Sequence, residues 1–444
     1  MKMRKLKYLS AIGAAMLLSV GAGRAIAAET PAGTASPSAN PQAQSIAPGT
    51  EISIRNWRHF KRFMPEGMVE LFRQRNLFKI SDDVKIDVGP TLIRPLPKNY
   101  VEATEKYASQ IKLVELPAGG LSLSGYQGGR PFPNPQEPHK GWKILANFWY
   151  RYLPHLIVDT YQTGCIQSGI GGTGCVANEI VYRQLAFNTD PGIPATTPGS
   201  EDKFYTRWST KLEPEQEKYK TTLTISYRDL AKPEETFEFV PSMRRTVPVA
   251  AGSRCAQNGN LDTTEEDSRF GFASNLTQLK VDYLGERKVL ALVDSELTKA
   301  RYPIGYDQPI GWPQQEWGKW QLRDVDVIAV SKLPAFAEGY CYGKRVMYID
   351  KAFAAPVWED VYDEDMRVWK YIGLFYKTLN VPGVGPVNTS GSQITIFWDM
   401  QNQHSSVISD PGEGRPFYVN EQAPKEFQDL HRFTTEAGLG EVIR

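Results

Sequence analysis

Short stretches in which apolar and polar residues alternate recur along this chain and restrict it to folds rich in β-strands. In Thr221–Tyr227, the side chains of Leu223, Ile225 and Tyr227 lie on one face of an extended strand, and hydroxyl side chains lie on the other. The same period is present at Ile394, Ile396, Trp398 and Met400. Alternation of this kind is typical of antiparallel sheets.

Further strands and a few helices complete the predicted fold. Three stretches, 346–350, 357–362 and 367–376, are predicted to form a meander. Apolar residues at helical spacing predict helices near 65–78, 99–114, 142–152 and 424–433. We expect Asn99 to be the N-cap of the second helix, with Glu102 closing a capping box and with Ile111 and Val114 on its apolar face. These elements predict the α+β class, with one large curved antiparallel sheet and helices packed on it.

The first 27 residues have the pattern of a cleavable secretory signal peptide. A basic start precedes an apolar stretch, and Ala25, Ile26 and Ala27 form a small-x-small cleavage motif. Residues 28–50, rich in Ala, Pro, Thr, Ser and Gly, are predicted to be a disordered linker, and 51–444 a single domain. We expect a periplasmic protein, and not a lipoprotein, because no cysteine lies near the cleavage motif.

The charge balance argues against a nucleic-acid partner. The chain has 51 basic and 50 acidic residues. The predicted signal peptide contains five of the basic residues and none of the acidic ones, so 46 basic residues remain against 50 acidic ones after cleavage. Nucleic-acid binders usually carry a basic excess or a basic face, and nothing in this sequence suggests one.

The four cysteines are consistent with an oxidising compartment. Cys165 and Cys175 flank a glycine-rich stretch flexible enough to bring the thiols together, which leaves Cys255 and Cys341 as the second pair. Four cysteines allow three connectivities, and we predict this one. Zinc binding is the alternative, but the paired spacings of structural zinc sites are absent from the sequence.

No sequence motif predicts catalysis. The chain lacks a G-x-S-x-G nucleophile elbow, and none of its five histidines pairs with another at metal-ligand spacing. Asp324 and Asp326 would share one face of a strand, and paired carboxylates can act in acid–base chemistry, but exposed strands often carry such pairs. We therefore predict no enzyme, no metal and no cofactor, and a hydrolase built from distant residues is the alternative.

Five blocks of the sequence, in a fixed order, carry a family resemblance: 126–135, 141–144, 237–245, 270–288 and 344–350. The most specific is the run Pro-Phe-Pro-Asn-Pro at 131–135. Together they resemble family 1329 of the domains of unknown function, exported bacterial proteins related to LolA- and LolB-type outer-membrane lipoprotein-sorting proteins. The resemblance extends from about residue 51 to the C-terminus, although 51–99 differ from the opening that most members share.

The resemblance implies a LolA/LolB-like half-barrel, which is a curved antiparallel sheet with helices on its concave side. It also implies a role in handling a lipid, a lipoprotein or other hydrophobic cargo, with an inner-membrane exporter of the resistance-nodulation-division type as a partner. It brings no catalytic residues. An envelope-assembly scaffold that binds partners is the alternative role.

On this basis the apolar strand faces are expected to line a cavity for the cargo, at Leu223, Ile225, Tyr227, Ile396 and Trp398. The adjacent Arg244 and Arg245 are expected to meet a lipid phosphate, because guanidinium groups match phosphate oxygens. The alternative for the apolar residues is a solid core packed against the helices, and for the arginines an ordinary surface turn.

Overall fold

The alternating stretches pair into one large antiparallel sheet in the computed structural model, which describes residues 45–168, 173–250, 254–295, 305–307, 311–409 and 415–442. The predicted signal peptide, residues 28–44 of the predicted linker and the glycine-rich stretch 169–172 lie outside the described residues. The α+β class and the large antiparallel sheet predicted from the sequence are confirmed.

The elements are numbered along the chain. The described strands are β1 (Glu51–Ser53), β2 (Lys85–Asp87), β3 (Lys112–Glu115), β4 (Leu121–Ser124), β5 (Leu156–Ser168), β6 (Thr173–Gln184), β7 (Lys203–Glu213), β8 (Thr221–Tyr227), β9 (Glu235–Val240), β10 (Arg245–Pro248), β11 (Leu279–Ala291), β12 (Tyr306–Asp307), β13 (Trp312–Pro313), β14 (Gln321–Lys332), β15 (Lys344–Asp350), β16 (Pro356–Tyr362), β17 (Val368–Val381), β18 (Gly385–Asp399), β19 (His404–Ser409) and β20 (Phe417–Val419). The described α-helices are α1 (Glu66–Arg73), α2 (Lys98–Tyr107), α3 (Lys140–Trp149), α4 (Leu430–Thr434) and α5 (Glu436–Leu439). No helix in this part of the chain is long and apolar enough to cross a lipid bilayer.

Two meanders build the large sheet. Strands β5 to β10 run in order from the middle of the sheet to one edge, and β14 to β19 run in order back to the middle, where β19 pairs with β5. Strand β11 pairs with β14 and forms the opposite edge. The chain therefore passes from one edge strand, β10, to the other, β11. We call residues 254–278 of this connection the crossover, the sheet face it covers the crossover face, and the other face the back face.

Helices lie on both faces of the sheet. On the crossover face, α3 packs against β11 and β14. On the back face, α1 packs against β16 and β17, and α4 and α5 pack against β7, β8 and β9. The rings of Trp208 on β7 and Phe433 on α4 meet edge to face with centroids 5.2 Å apart. Because both faces are covered, both sets of alternating side chains are largely buried.

The 131–135 stretch has a structural role in docking α3. The Phe132 backbone N–H donates to Asn147 Oδ1 (2.9 Å), and Asn147 Nδ2 donates back to the Phe132 carbonyl oxygen (2.7 Å). Trp142 Nε1, near the start of the same helix, donates to the carbonyl oxygen of Leu276 in the crossover (3.2 Å). These bonds hold α3 between this stretch and the end of the crossover.

Each predicted helix overlaps an observed one, and the second differs most from its prediction. Strand β8 matches its predicted range, and the strands β15–β17 overlap theirs, with β17 continuing to Val381. Helices α1, α3 and α4 also overlap their predicted ranges, although α4 begins only at Leu430. Helix α2 has Pro97 at its N-cap, so Asn99 lies inside the helix and caps nothing. The helix ends at Tyr107, and Val114 belongs to β3, which pairs with β4. The spacing of Ile111 and Val114 suited a helix, but backbone partners on β4, which the spacing does not reveal, favour the strand.

A buried carboxyl group on β16 holds the first turn of α1. Asp360 Oδ1 accepts hydrogen bonds from the Gly67 backbone N–H and from Trp358 Nε1, and Oδ2 accepts one from the Tyr348 hydroxyl, all at 3.1 Å. The side chain is 1% exposed, and its burial raises the pKa of Asp360 to about 7. This carboxyl is therefore protonated more readily in the folded chain than in the unfolded one.

We expect the Asp360→Asn variant to change how stability depends on pH. The unfolded-state pKa of an aspartate is about 3.9, so between about pH 4 and 7 the folded chain binds more protons and stability falls as pH rises. Asp360 should contribute a loss of up to about 1.4 kcal/mol per pH unit in this window. Urea unfolding at several pH values should show the variant equal to wild type near pH 4 and more stable above pH 7. Parallel pH profiles of the two proteins would contradict this assignment.

Candidate ligand-binding cavity

A disulfide fixes the start of the crossover to the rest of the fold. Cys255 is bonded to Cys341, which lies between β14 and β15, and their Cα atoms are 5.5 Å apart. The second disulfide joins Cys165 on β5 to Cys175 on β6, with Cα atoms 4.1 Å apart. The cysteine pairing predicted from the sequence is confirmed in both cases.

A buried arginine fixes the middle of the crossover. Arg345 on β15 is 3% exposed and donates to Asp267 Oδ1 (2.6 Å), to the Gly271 carbonyl oxygen (2.7 Å) and to Glu359 Oε2 on β16 (2.5 Å). Asp267 also accepts from the Thr264 backbone N–H (2.9 Å). Burial alone would raise the pKa of Asp267, but the charges of Arg345 and Lys370 and the hydrogen bonds to the carboxylate together outweigh it and hold that pKa below its usual value. The crossover is thus held on the sheet by a buried ion pair.

Between the crossover and strands β5–β9 lies a cavity of about 650 Å³. This volume lies within the range of roughly 300–1,000 Å³ that is typical of small-molecule sites. Apolar side chains around it include Trp149, Ile157, Ile180, Leu261, Phe270 and Phe397. Polar side chains on the strands include Arg207, Ser209, Lys211, Thr222, Thr224 and Glu238. The wall is therefore amphipathic, with apolar and charged regions side by side.

The structure places most of the predicted lining residues away from this cavity. Leu223 and Ile225 lie on the back face of β8, 0% and 5% exposed, in a cluster with α4 and α5. The hydroxyl face of the same strand, at Thr222 and Thr224, lines the cavity. Tyr227 borders the cavity where β8 ends, and its hydroxyl donates to Glu235 (2.7 Å).

The two predicted residues on β18 also lie on the back face. Ile396 and Trp398 are fully buried, and the Trp398 ring stacks on Trp358 with centroids 5.5 Å apart. Arg244 and Arg245 are exposed where β9 connects to β10, and neither lines the cavity. The alternation correctly separated the two faces of each strand, but the N- and C-terminal parts of the chain cover the apolar face.

Two carboxylates in the cavity wall form ion pairs with Arg254. Its guanidinium contacts Glu266 (2.5 Å) and Glu234 (3.0 Å). The Tyr205 hydroxyl donates to Glu234 (2.6 Å), and the Tyr340 hydroxyl donates to Glu266 (2.8 Å). Burial alone would raise the pKa of Glu266, but the charges of Arg254 and Lys332 and the hydrogen bonds from Ser274 and Arg254 together outweigh it, so the net shift is downward and Glu266 stays charged.

Sequence reasoning also missed a third arginine in the wall, Arg269. It is 2% exposed, and its Nη2 donates to the Trp149 carbonyl oxygen (3.1 Å). Its Cζ lies 4.3 Å from the centroid of the Trp149 ring and 4.7 Å from that of Tyr205. The one available signal was the long stretch without strand alternation that contains it, since long irregular connections in compact domains are often functional.

The acidic pair considered in the sequence does not form a site. Asp324 is exposed and pairs with Lys288 (2.6 Å), whereas the buried Asp326 accepts from the Tyr283 hydroxyl (3.3 Å). Among the described residues, no group of three or more histidine, cysteine or acidic side chains is arranged to hold a metal ion.

Comparison with known families identifies the chain. A family model described as protein of unknown function (DUF1329) matches residues 51–437. The chain belongs to the DUF1329 family. A comparison of this DUF1329 chain with curated proteins gave no match.

Three solved structures are similar to this DUF1329 chain at low sequence identity. One is a DUF1329 family protein from Desulfovibrio piger (11% identity, 67% of this chain and 98% of that chain, TM-score 0.45). Another is a domain named for outer-membrane lipoprotein sorting from Vibrio parahaemolyticus (11%, 65% and 96%, TM-score 0.44). A third is a LolA superfamily protein from Nitrosomonas europaea (12%, 67% and 98%, TM-score 0.37).

Proposed function

We propose that this protein binds and carries a lipid or a similarly apolar molecule in the bacterial periplasm and performs no covalent chemistry. The observation that supports this proposal is the cavity of about 650 Å³ between the crossover and the sheet. Apolar burial is worth about 0.8 kcal/mol per methylene, so an acyl chain of sixteen carbons costs roughly 13 kcal/mol to leave in water. A carrier has to cover that surface, and a roofed cavity does so.

The size of the cavity limits the cargo. A water molecule occupies about 30 Å³ in the liquid, so the cavity has the volume of roughly twenty waters. It suits one small amphiphile or one acyl chain. We propose that a lipid-modified protein, if it is cargo, places only its lipid there.

The two disulfides support an oxidising compartment, and the sequence pattern of residues 1–27 is that of an export signal. We propose that cargo is exchanged with an inner-membrane exporter of the resistance-nodulation-division type. The scaffold alternative would be favoured by a large exposed apolar patch. The large apolar side chains exposed in the described part of the chain are instead spread over many elements, from Leu92 to Leu430.

We expect the Ser209→Trp variant to lose ligand binding. Ser209 lies on β7 and lines the cavity, so an indole ring there would occupy the space of the ligand. The uncharged apolar fluorophore N-phenyl-1-naphthylamine should bind the wild type and bind this variant at least about tenfold more weakly, which corresponds to 1.4 kcal/mol. Fluorescence titration measures both affinities.

Ile225→Val is the matched control for that experiment. Ile225 lies on the back face, so the variant should lose about 0.5–1.5 kcal/mol of stability and bind the fluorophore as the wild type does. Equal binding by Ser209→Trp and wild type would show that this cavity is not the binding site.

A further inference from the structure

We propose that the cavity binds an amphiphile through an anionic head group, a carboxylate or a phosphate, held by Arg269 with Trp149 and Tyr182 as further donors. This inference rests on the proposed function, because it names the chemical class of the molecule that the cavity carries. Three observations lead to it: unmet hydrogen-bond donors, an unbalanced local charge, and an adjacent apolar wall.

The donors around Arg269 lack acceptors. Arg269 Nε and Nη1, Trp149 Nε1 and the Tyr182 hydroxyl are buried and make no hydrogen bond of normal geometry, although the Tyr182 hydroxyl lies beside the Arg269 guanidinium, and all three side chains line the cavity. The three residues are between 2% and 4% exposed, so water has little access to their donors. Buried polar groups in proteins are nearly always paired. An oxygen-rich group in the cavity would satisfy several of these donors together.

The charge around Arg269 is also unmatched. Among the described residues no carboxylate forms an ion pair with it, whereas Arg254 and Arg345 each have two. The carboxylate of Glu234 interacts electrostatically with Arg269 without contacting it. Glu234 already forms an ion pair with Arg254 and accepts a hydrogen bond from the Tyr205 hydroxyl. Burial and the nearby Arg269 lower the pKa of Arg151 to about 9. Arg151 donates to the Phe148 carbonyl oxygen (2.7 Å) and Arg269 to the adjacent Trp149 carbonyl oxygen (3.1 Å), so two guanidinium groups lie close together in the interior, which favours an anion.

Acidic side chains elsewhere in the wall do not balance the positive charge of Arg269, because most of them form ion pairs with other basic residues. Glu266 pairs with Arg254, Asp267 with Arg345, Glu238 with Lys220 (3.2 Å) and Glu265 with Arg207 (3.9 Å). Arg269 therefore has no carboxylate partner of its own in the described part of the wall.

The surroundings of Arg269 favour an amphiphile over a small soluble anion. Phe270 follows it in the sequence, and Ile180, Ile157 and Phe397 line the same cavity. A soluble ion would leave these apolar side chains uncovered, whereas an alkyl chain would cover them. The head-group site predicted from the sequence, at Arg244 and Arg245, lies on an exposed connection instead.

The test uses the full mature chain and four probes: dodecanoate, dodecyl phosphate, 1-dodecanol and inorganic phosphate. Each is titrated against bound N-phenyl-1-naphthylamine. We expect the two anionic amphiphiles to bind about 10-fold to 100-fold more tightly than 1-dodecanol, as for hydrogen bonds to charged groups. The Arg269→Gln variant should lose this preference and keep its affinity for 1-dodecanol. Arg183→Gln, on the back face of β6 with its Nη2 on the Phe427 carbonyl oxygen (2.8 Å), should keep the preference.

A wild type that binds dodecanoate and 1-dodecanol equally, or a preference that survives in Arg269→Gln, would overturn this inference and leave the carrier proposal standing. Inorganic phosphate that competes as well as dodecyl phosphate would assign the site to a soluble anion and overturn it too. If neither the fluorophore nor any of the twelve-carbon probes binds, the proposed function itself fails.

A second variant keeps the inference testable if Arg269→Gln does not fold. Tyr182→Phe removes a buried hydroxyl that makes no hydrogen bond of normal geometry, so the melting temperature of the unliganded variant should stay equal or rise. Its affinity for dodecanoate should fall about 3-fold to 10-fold while that for 1-dodecanol stays unchanged. A lower melting temperature with both affinities reduced would indicate a purely structural role and overturn the assignment of Tyr182.

Discussion

Replacing Arg345 by methionine is expected to lower the free energy of unfolding by about 3–5 kcal/mol, because removing one partner of a buried ion pair leaves uncompensated charge in the interior. Asp267 and Glu359 would both lose their guanidinium partner, and the Gly271 carbonyl oxygen would lose its donor. Methionine fills much of the same volume, so the loss would come mainly from the charges. Urea unfolding measures the change.

The matched control for Arg345 is Arg323→Met. Arg323 on β14 forms an equally buried ion pair with Asp350 (2.7 Å, both side chains 1% exposed), but it does not touch the crossover. Both variants should lose similar stability, whereas only Arg345→Met should speed hydrogen exchange and proteolysis within 254–278. Equal protection of the crossover in the two variants would contradict the role given to Arg345.

Removing the Cys255–Cys341 disulfide is expected to have the other large effect. The bond closes a loop with a sequence separation of 86, and on the chain-entropy model the loss of such a cross-link costs about 4.6 kcal/mol. The Cys165–Cys175 bond closes a separation of only 10, for which the same model gives about 2.7 kcal/mol. We therefore expect the double serine variant at 255 and 341 to be the less stable of the two double variants in urea.

The disulfide prediction also has a consequence for binding. Cys255 begins the crossover, so its release should weaken binding of N-phenyl-1-naphthylamine, whereas the loss of Cys165–Cys175 on the sheet should affect it less. Equal stability losses in the two double variants would mean that the long loop is already constrained in the unfolded chain or by other contacts, and would contradict the estimate from loop length.

Much of the fold could be predicted from local sequence patterns. The alternation in β8 located the strand to the residue and divided its side chains correctly between two faces. The predicted second helix was too long because the chain after Tyr107 forms strand β3, whose backbone hydrogen-bonds to β4. The spacing of apolar residues does not reveal this strand pairing. The cysteine pairing followed from the glycine-rich stretch between Cys165 and Cys175.

The cavity could not be predicted from local sequence patterns. Which face of β8 lines it depends on what covers the other face, and that cover is Phe427, Phe433 and Leu439, about 200 residues later in the sequence. Arg269 gave no periodic signal, because it lies in the irregular crossover. Its unmatched charge is visible only once the partners of Arg254 and Arg345 are known.

The central claim, that this cavity carries an apolar or amphipathic molecule, is tested most directly by native mass spectrometry. The chain would be purified without detergent from the periplasm of the producing bacterium, and bound material would be extracted into organic solvent for lipid analysis. We predict a stoichiometric adduct on the wild type that contains an alkyl or acyl chain and an anionic head group, and that is lost in Ser209→Trp. A bare protein mass in repeated preparations, with no uptake of offered lipids, would contradict the account.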